Sequence, residues 1–235
     1  MKALVLMSGG IDSTVCATMA AQEHGNENVI GLTVLYGQKH SREVKAAHAV
    51  AKKLLLGDIL RIDLPLFDES RCALTNAEMV VPETTYEKVR EAQGVSPMYV
   101  PFRNGLFLSA AAAMALQLDC EVIYFGAHSE DARNWAYPDC TPEFNGSISS
   151  AIYIGTYHKV RVITPLQWMT KSQIVNEGVQ IDAPLQLTYS CYVGGINHCG
   201  TCATCVSRIN AFKSNGLIDK VDYEIDVDWG FQRIF

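Results

Sequence analysis

No stretch of the 235 residues is long and apolar enough to cross a bilayer. The longest apolar run, 106–118, is alanine-rich, contains Ser109 and Gln117, and falls short of the ~20 residues a spanning helix needs. No secretory leader is expected either, because Met1 and Lys2 lead straight into a four-residue apolar run, 4–7, too short for a signal core. A cytoplasmic protein without a membrane partner is therefore expected. Basic charge is scarce: 19 Lys and Arg face 25 Asp and Glu, for a net charge of −6. A surface that grips nucleic-acid phosphate needs a basic stripe, so a small-molecule substrate is expected and nucleic acid is not. Internal repeats and low-complexity tracts are missing as well. What remains is a chain with 49% hydrophobic residues, enough for one compact domain or a domain with a small appendage. It carries eight cysteines, and in a reducing compartment clustered cysteines point to metal rather than to disulfides.

Short β-rich runs alternate with helical segments, the pattern of a doubly wound, mainly parallel α/β sheet. Five strands are expected at 2–7, 28–36, 58–64, 121–126 and 159–163, with helices at 12–24, 40–55, 105–118, 142–155 and 171–178. Thr141-Pro142 puts a cap residue before proline at the first helical position, and Thr170-Lys171-Ser172-Gln173 matches a capping box. Residues 65–100 break the rhythm and are expected to form a lid. The segment 221–235 alternates apolar and acidic residues before Trp229 and Phe231. It reads equally as an edge strand or arm on a partner subunit and as a tail folded onto its own domain.

The chain also lacks the Gly-Lys-Ser/Thr of a Walker loop. Instead, a buried strand runs into Ser8-Gly9-Gly10-Ile11-Asp12-Ser13-Thr14 and then a helix start. Gly9 and Gly10 allow a sharp turn and a close backbone approach. Their amides and the helix N-terminus make an anion-binding concavity. Ser8, Ser13 and Thr14 supply hydroxyls to phosphate oxygens, and Asp12 either caps the helix or holds Mg²⁺ beside the phosphates. This order of residues resembles the pyrophosphate loop of the N-type ATP pyrophosphatases. The resemblance implies ATP cleavage between the α- and β-phosphates to adenylate a carbonyl or carboxylate.

Cys191, Cys199, Cys202 and Cys205 fall within fifteen glycine-rich residues. Four thiolates on a short loop suit a closed, tetrahedral structural zinc site, with an iron–sulfur cluster as the alternative. His198 is expected to be a solvated loop residue. With every position filled by sulfur there is no room for a catalytic water, so the metal is expected to fold the loop, followed by a closing helix over 206–212. This divides the chain into an ATP-binding part, 1–185, and a zinc-binding loop, helix and tail, 186–235.

Two turns follow expected strands, where doubly wound folds hold ligands, and a third segment precedes the third expected helix. They offer Tyr36 and Gln38, then Arg103 and the N-cap candidate Asn104 ahead of the third helix, and then Gly126-Ala127-His128 through Asp131 and on to Asp139. For each of these, capping or a solvated loop position competes with ligand contact. Lys171 competes likewise with an exposed first-turn lysine that the helix dipole disfavours.

Ser8 to Ser13, Tyr36-Gly37-Gln38-Lys39-His40, Val100-Pro101-Phe102-Arg103-Asn104, Tyr137-Pro138-Asp139-Cys140, Thr188-Tyr189-Ser190-Cys191 and the three later cysteines, in this order and spacing, resemble the 7-cyano-7-deazaguanine synthase family over nearly the whole chain. One departure is Thr141, where the family often has arginine. The resemblance implies an adenine nucleotide alpha hydrolase-like fold and an ATP-dependent carbon–nitrogen ligase of queuosine biosynthesis. In it, 7-carboxy-7-deazaguanine is adenylated, ammonia displaces AMP to give an amide, and a second ATP drives dehydration to the nitrile. Implied roles are ATP with Mg²⁺ on 8–14, Asp12 and Ser13 in the chemistry, and Arg103 or Lys171 on the developing charge. Tyr36, Gln38, Arg103, Asn104, Asp131 and Asp139 are the implied substrate contacts, with zinc on the four cysteines and a homodimer as the assembly. Two alternatives share the loop: a relative that conjugates the deazaguanine acid to an amine or protein terminus, and a tRNA thiolase. A non-catalytic nucleotide-binding module is the third.

Overall fold

A computed structural model of the chain describes residues 1–38, 42–67, 72, 74, 75, 95, 96 and 98–230. The expected lid therefore lies largely outside the described residues, as do Lys39, His40 and the end of the tail.

The strand Ala3–Leu6 (β1) occupies the centre of the sheet because Ala-Leu-Val-Leu is apolar on both faces, and all four residues are buried. Val29–Leu35 (β2) and Val122–Tyr124 (β4) pair with it in parallel, Leu6 opposite Leu32 and Val5 opposite Tyr124. Asp58–Asp63 (β3) and Arg161–Ile163 (β5), which carry charged residues, take the two edges. The order β3-β2-β1-β4-β5, with all pairs parallel, matches the doubly wound sheet expected.

Alternation along β1 divides the core. Ala3 and Val5 share one face with Val29, Val122 and Tyr124 and pack against Ile11–His24 (α1), Arg42–Lys53 (α2), Lys171–Gln180 (α6) and Ala203–Ser214 (α7). Leu4 and Leu6 share the other with Leu32, Val34 and Ile123 against Arg103–Gln117 (α3) and Pro142–Gly155 (α5). A single turn, Ser129–Ala132 (α4), follows β4. Both expected caps are present: Thr141 accepts from the amide of Phe144, and Thr170 and Gln173 form a reciprocal capping box. Thr141 is buried in that role, so the departure from the family pattern sits at a helix cap.

Two expectations need correction. Helix α3 starts at Arg103, so Asn104 lies inside the first turn and Phe102 is the cap residue, in the left-handed region at φ 54, ψ 23. His198 is buried, not solvated: its Nε2 accepts from the amide of Ser190, and its ring lies between Tyr189 and Tyr223. A single bridge between His198 and Tyr223, and packing of Trp229 on the core, fold the described tail onto its own chain. No helix among the described residues is long and apolar enough to cross a membrane.

Candidate active site

Strand order reverses between β1 and β4, and their carboxyl ends open a crevice there. A cavity of about 280 Å³ occupies it, walled by the turns after β1, β2 and β4, the starts of α2, α3 and α6, and the segment around Tyr189.

The turn after β1 is held by its own hydroxyls. Ser13 Oγ donates to the carbonyl of Gly10 (3.2 Å), lies 3.1 Å from Ser8 Oγ, and accepts from the amide of Ser8. Gly9 sits at φ +87, and a Cβ there would lie 2.1 Å from the carbonyl oxygen of Glu43. Only glycine lets the loop rest on the first turn of α2. Gly10 adopts φ −83 and faces the cavity. Ser8, Ile11, Asp12 and Ser13 line it as well. Thr14 does not: its side chain is fully buried and its Oγ1 has no partner among the described residues. Gly9 likewise turns toward α2 rather than the cavity.

Lys171, at the start of α6, reaches across the crevice and donates to both oxygens of Asp12 at 2.6 and 2.7 Å. His128 Nε2 lies 3.3 Å from Asp131 Oδ2 and 3.8 Å from Asp12 Oδ2, with Nδ1 buried and without a partner among the described residues. Burial pushes the Asp12 carboxyl up, but the charges of Lys171 and His128 outweigh that and hold it below the usual carboxylate range. The backbone amide of Lys171 donates to Glu130, so an acidic group also caps α6.

Opposite this cluster, Arg103 donates to the hydroxyl of Tyr36 at 3.0 Å and stacks over the rings of Tyr36 and Phe107. Burial opposes its charge, yet Tyr36, Asp139 and Tyr192 together raise its pKa, so it stays a cation. Asp139 accepts from the amide of Asn104, and the Asn104 side chain donates to the Asp139 carbonyl and to Cys140 Sγ. Asn104 therefore braces the Pro138–Cys140 turn against α3. Burial raises the Asp139 carboxyl pKa. Gln38 accepts from the amide of Tyr36, which fixes the turn after β2.

The four cysteines of 191–205 converge with all sulfurs within 4.8 Å of one another. Tetrahedral zinc with Zn–S bonds of about 2.3 Å needs sulfurs roughly 3.8 Å apart, and Cys199 and Cys205 are 3.9 Å apart. Amides of Cys199 and Cys202 already donate to Cys191 and Cys199 sulfurs. Gly200, at φ +79, leaves room for Ile225, whose Cγ1 would meet a Cβ at 2.4 Å. The donor set and spacing fit a closed structural metal site.

Residues absent from the sequence reading complete the site. Arg208 is 1% exposed and binds Asp219 through Nε and Nη2, Thr188 and Ser190 through Nη1, and the Leu185 carbonyl through Nη2. It ties α7 to the segment carrying Tyr189 and Ser190, which lines the cavity. Glu43 and Phe107 also line it. Glu43 had one readable signal, its place in a helix start just past Gly37-Gln38. Arg208 had none, because its partners are dispersed along the chain.

Sheet order and cavity position place the molecule among doubly wound α/β proteins that hold ligands above the carboxyl ends of their strands. The particular family comes from comparison of the whole sequence. The chain belongs to the queuosine biosynthesis protein QueC family, whose model matches residues 2–216. It is 41% identical over 225 residues to 7-cyano-7-deazaguanine synthase of Koribacter versatilis, covering 94% of this chain and 93% of that one. The same enzyme of Caldicellulosiruptor bescii is 37% identical over 230 residues, 97% of this chain and all of the relative. That of Aliarcobacter butzleri is 38% identical over 227 residues, 95% and 96% of the two chains.

Proposed function

We propose that this protein converts 7-carboxy-7-deazaguanine, ATP and ammonia to 7-cyano-7-deazaguanine through an acyl-adenylate and an amide. The observation that carries the reading is the meeting, in one crevice, of the serine–glycine turn, the Asp12–Lys171 pair and Arg103. Attack by the substrate carboxylate on the α-phosphorus breaks the bond to the β-phosphate and concentrates negative charge there. Lys171 and Arg103 supply cations from opposite walls of the cavity, in a setting where such charges act strongly. Amides of Gly10, Ile11 and the α1 start receive the departing pyrophosphate. Ser8 and Ser13 hydroxyls stand ready to exchange their mutual contacts for phosphate oxygens. Asp12, kept ionised, would hold Mg²⁺ once nucleotide draws Lys171 aside; the ion would neutralise phosphate charge. Tyr36 and Phe107 offer an aromatic wall to the deazapurine, and Gln38, Asp131 and Asp139 offer polar edges.

Zinc on Cys191, Cys199, Cys202 and Cys205 would supply structure: it fixes the loop that presents Tyr189 and Ser190 to the cavity. Residues 1–185 then form the nucleotide-binding part and 186–235 the metal-held part that closes one wall, in a cytoplasmic homodimer. A thiolase would need a reactive cysteine in the cavity. Cys140 lines it, but burial pushes that thiol well up, which counts against that reading.

The test is incubation with ATP, Mg²⁺, ammonium and 7-carboxy-7-deazaguanine, followed by mass spectrometry. Nitrile and a transient amide are expected. Unchanged acid, with neither product, would overturn the proposal, and a stable adduct with the protein or an added amine would move the protein to the conjugating relatives.

A further inference from the structure

We propose that Glu43 is the proton acceptor for the ammonia step, taking a proton from ammonium so that the free amine attacks the acyl-adenylate. This deepens the function proposed above and rests on it. Glu43 stands in the first turn of α2, and its backbone oxygen is in contact range of Gly9. That contact fixes its distance from the loop that holds the adenylate's phosphate. Its carboxyl is half-buried at the cavity wall, within electrostatic reach of Arg103 on α3 and of the Tyr36 hydroxyl after β2. Among the described residues, these are the titratable groups that face it from the elements packed around it. No hydrogen bond or ion pair among the described residues occupies its oxygens. The other acidic groups are engaged: Asp12 with Lys171, Asp131 with His128, and Asp139 with the Asn104 amide. Burial raises the Glu43 carboxyl to about 7, while Arg103 pulls the other way. A base with a pKa near the working pH is both free to accept a proton and able to return it to solvent.

Ammonium gives one proton to the Glu43 carboxylate, and the nitrogen lone pair forms the C–N bond to the acyl carbon. The C–O bond to phosphate breaks, and AMP leaves with that electron pair. The amide nitrogen loses its second excess proton to solvent. Glu43 then releases its proton before the next turnover.

The experiment compares full-length wild type with Glu43→Gln and Glu43→Asp, after checking that all three melt cooperatively. Two rates are measured: acid-dependent exchange of pyrophosphate into ATP without ammonium, and amide formation with ammonium from pH 6.5 to 9.5. For Glu43→Gln at pH 7, amide formation should fall roughly 100-fold or more, and by at least ten times more than exchange. The deficit should shrink as pH rises and free ammonia replaces the missing base, and Glu43→Asp should recover part of the rate. A deficit that is the same at every pH, or equal losses in both assays, would overturn the role, since a merely structural side chain gives that result. Absence of acid-dependent exchange in wild type would overturn the substrate reading itself, and this inference with it.

Discussion

Arg208 offers the most quantitative test of how the metal-binding segment is fastened to the active site. Its guanidinium and the Asp219 carboxylate are each about 1% exposed, so neither charge is relieved by water. Replacing Arg208 with methionine keeps the length of the side chain and removes the cation. Among the described residues, Asp219 then keeps only the Tyr223 hydroxyl at 2.8 Å and the distant Val221 amide at 3.4 Å. A buried ion left without its partner costs about 3–5 kcal/mol. In a chain of this length 1 kcal/mol moves the midpoint by a few degrees, so a fall of about 6–20 °C is expected. The double variant Arg208→Met, Asp219→Leu removes both charges and leaves mainly one hydroxyl, one carbonyl and two serine/threonine hydroxyls short of a bond. It should regain at least half of the loss. Scanning calorimetry with zinc content measured in parallel reads both. A single variant within 2 °C of wild type would refute the assignment of a buried pair, as would a double variant less stable than the single one.

Four other outcomes are expected. Gly9→Ala places a Cβ 2.1 Å from the Glu43 carbonyl at positive φ. It should cost about 3 kcal/mol or more by thermal denaturation, whereas Gly10→Ala, with its nearest contact at 3.5 Å, should melt near wild type but bind ATP more weakly by calorimetric titration. Lys171→Met removes the cation bound to both oxygens of Asp12. Acid-dependent pyrophosphate exchange should fall roughly 100- to 1000-fold, and an unchanged rate would exclude Lys171 from the chemistry. Metal analysis should find one zinc per chain, and Cys202→Ser should lose it together with protection of residues 189–205 from hydrogen exchange; iron in its place would restore the cluster alternative. Finally, Glu43 has a folded-state pKa raised from 4.5 to about 7. Its contribution to stability is therefore fully present below pH 4.5 and lost as pH rises through 7. At about 1.4 kcal/mol per unit, discounted for partial exposure, wild type should lose about 2–3 kcal/mol more than Glu43→Gln between pH 4.5 and 8. Parallel pH–stability curves for the two proteins would refute it.

Much of this molecule is written locally in its sequence. β1 is apolar on both faces and can only be central, Thr141 and Thr170 stand where caps belong, and four cysteines within fifteen residues can hardly avoid one another. These features depend on neighbours close in the chain, so period and spacing suffice. The Ser8–Ser13 turn was legible for the same reason, but its internal division was not. Gly9 answers to α2 and Thr14 to the core, through contacts with segments folded against them. Asn104 looked like a cap and is a brace, because Phe102 takes the left-handed conformation and Asp139, thirty-five residues on, supplies the acceptor. His198 looked like a solvated loop residue until Tyr189 and Tyr223 closed around it. The pairing of Lys171 with Asp12, separated by 159 residues, the burial of Arg208 with Asp219, and the placement of Glu43 at the cavity wall were decided only by the tertiary structure. Charge and burial depend on which segments meet, and a local pattern carries no information about that.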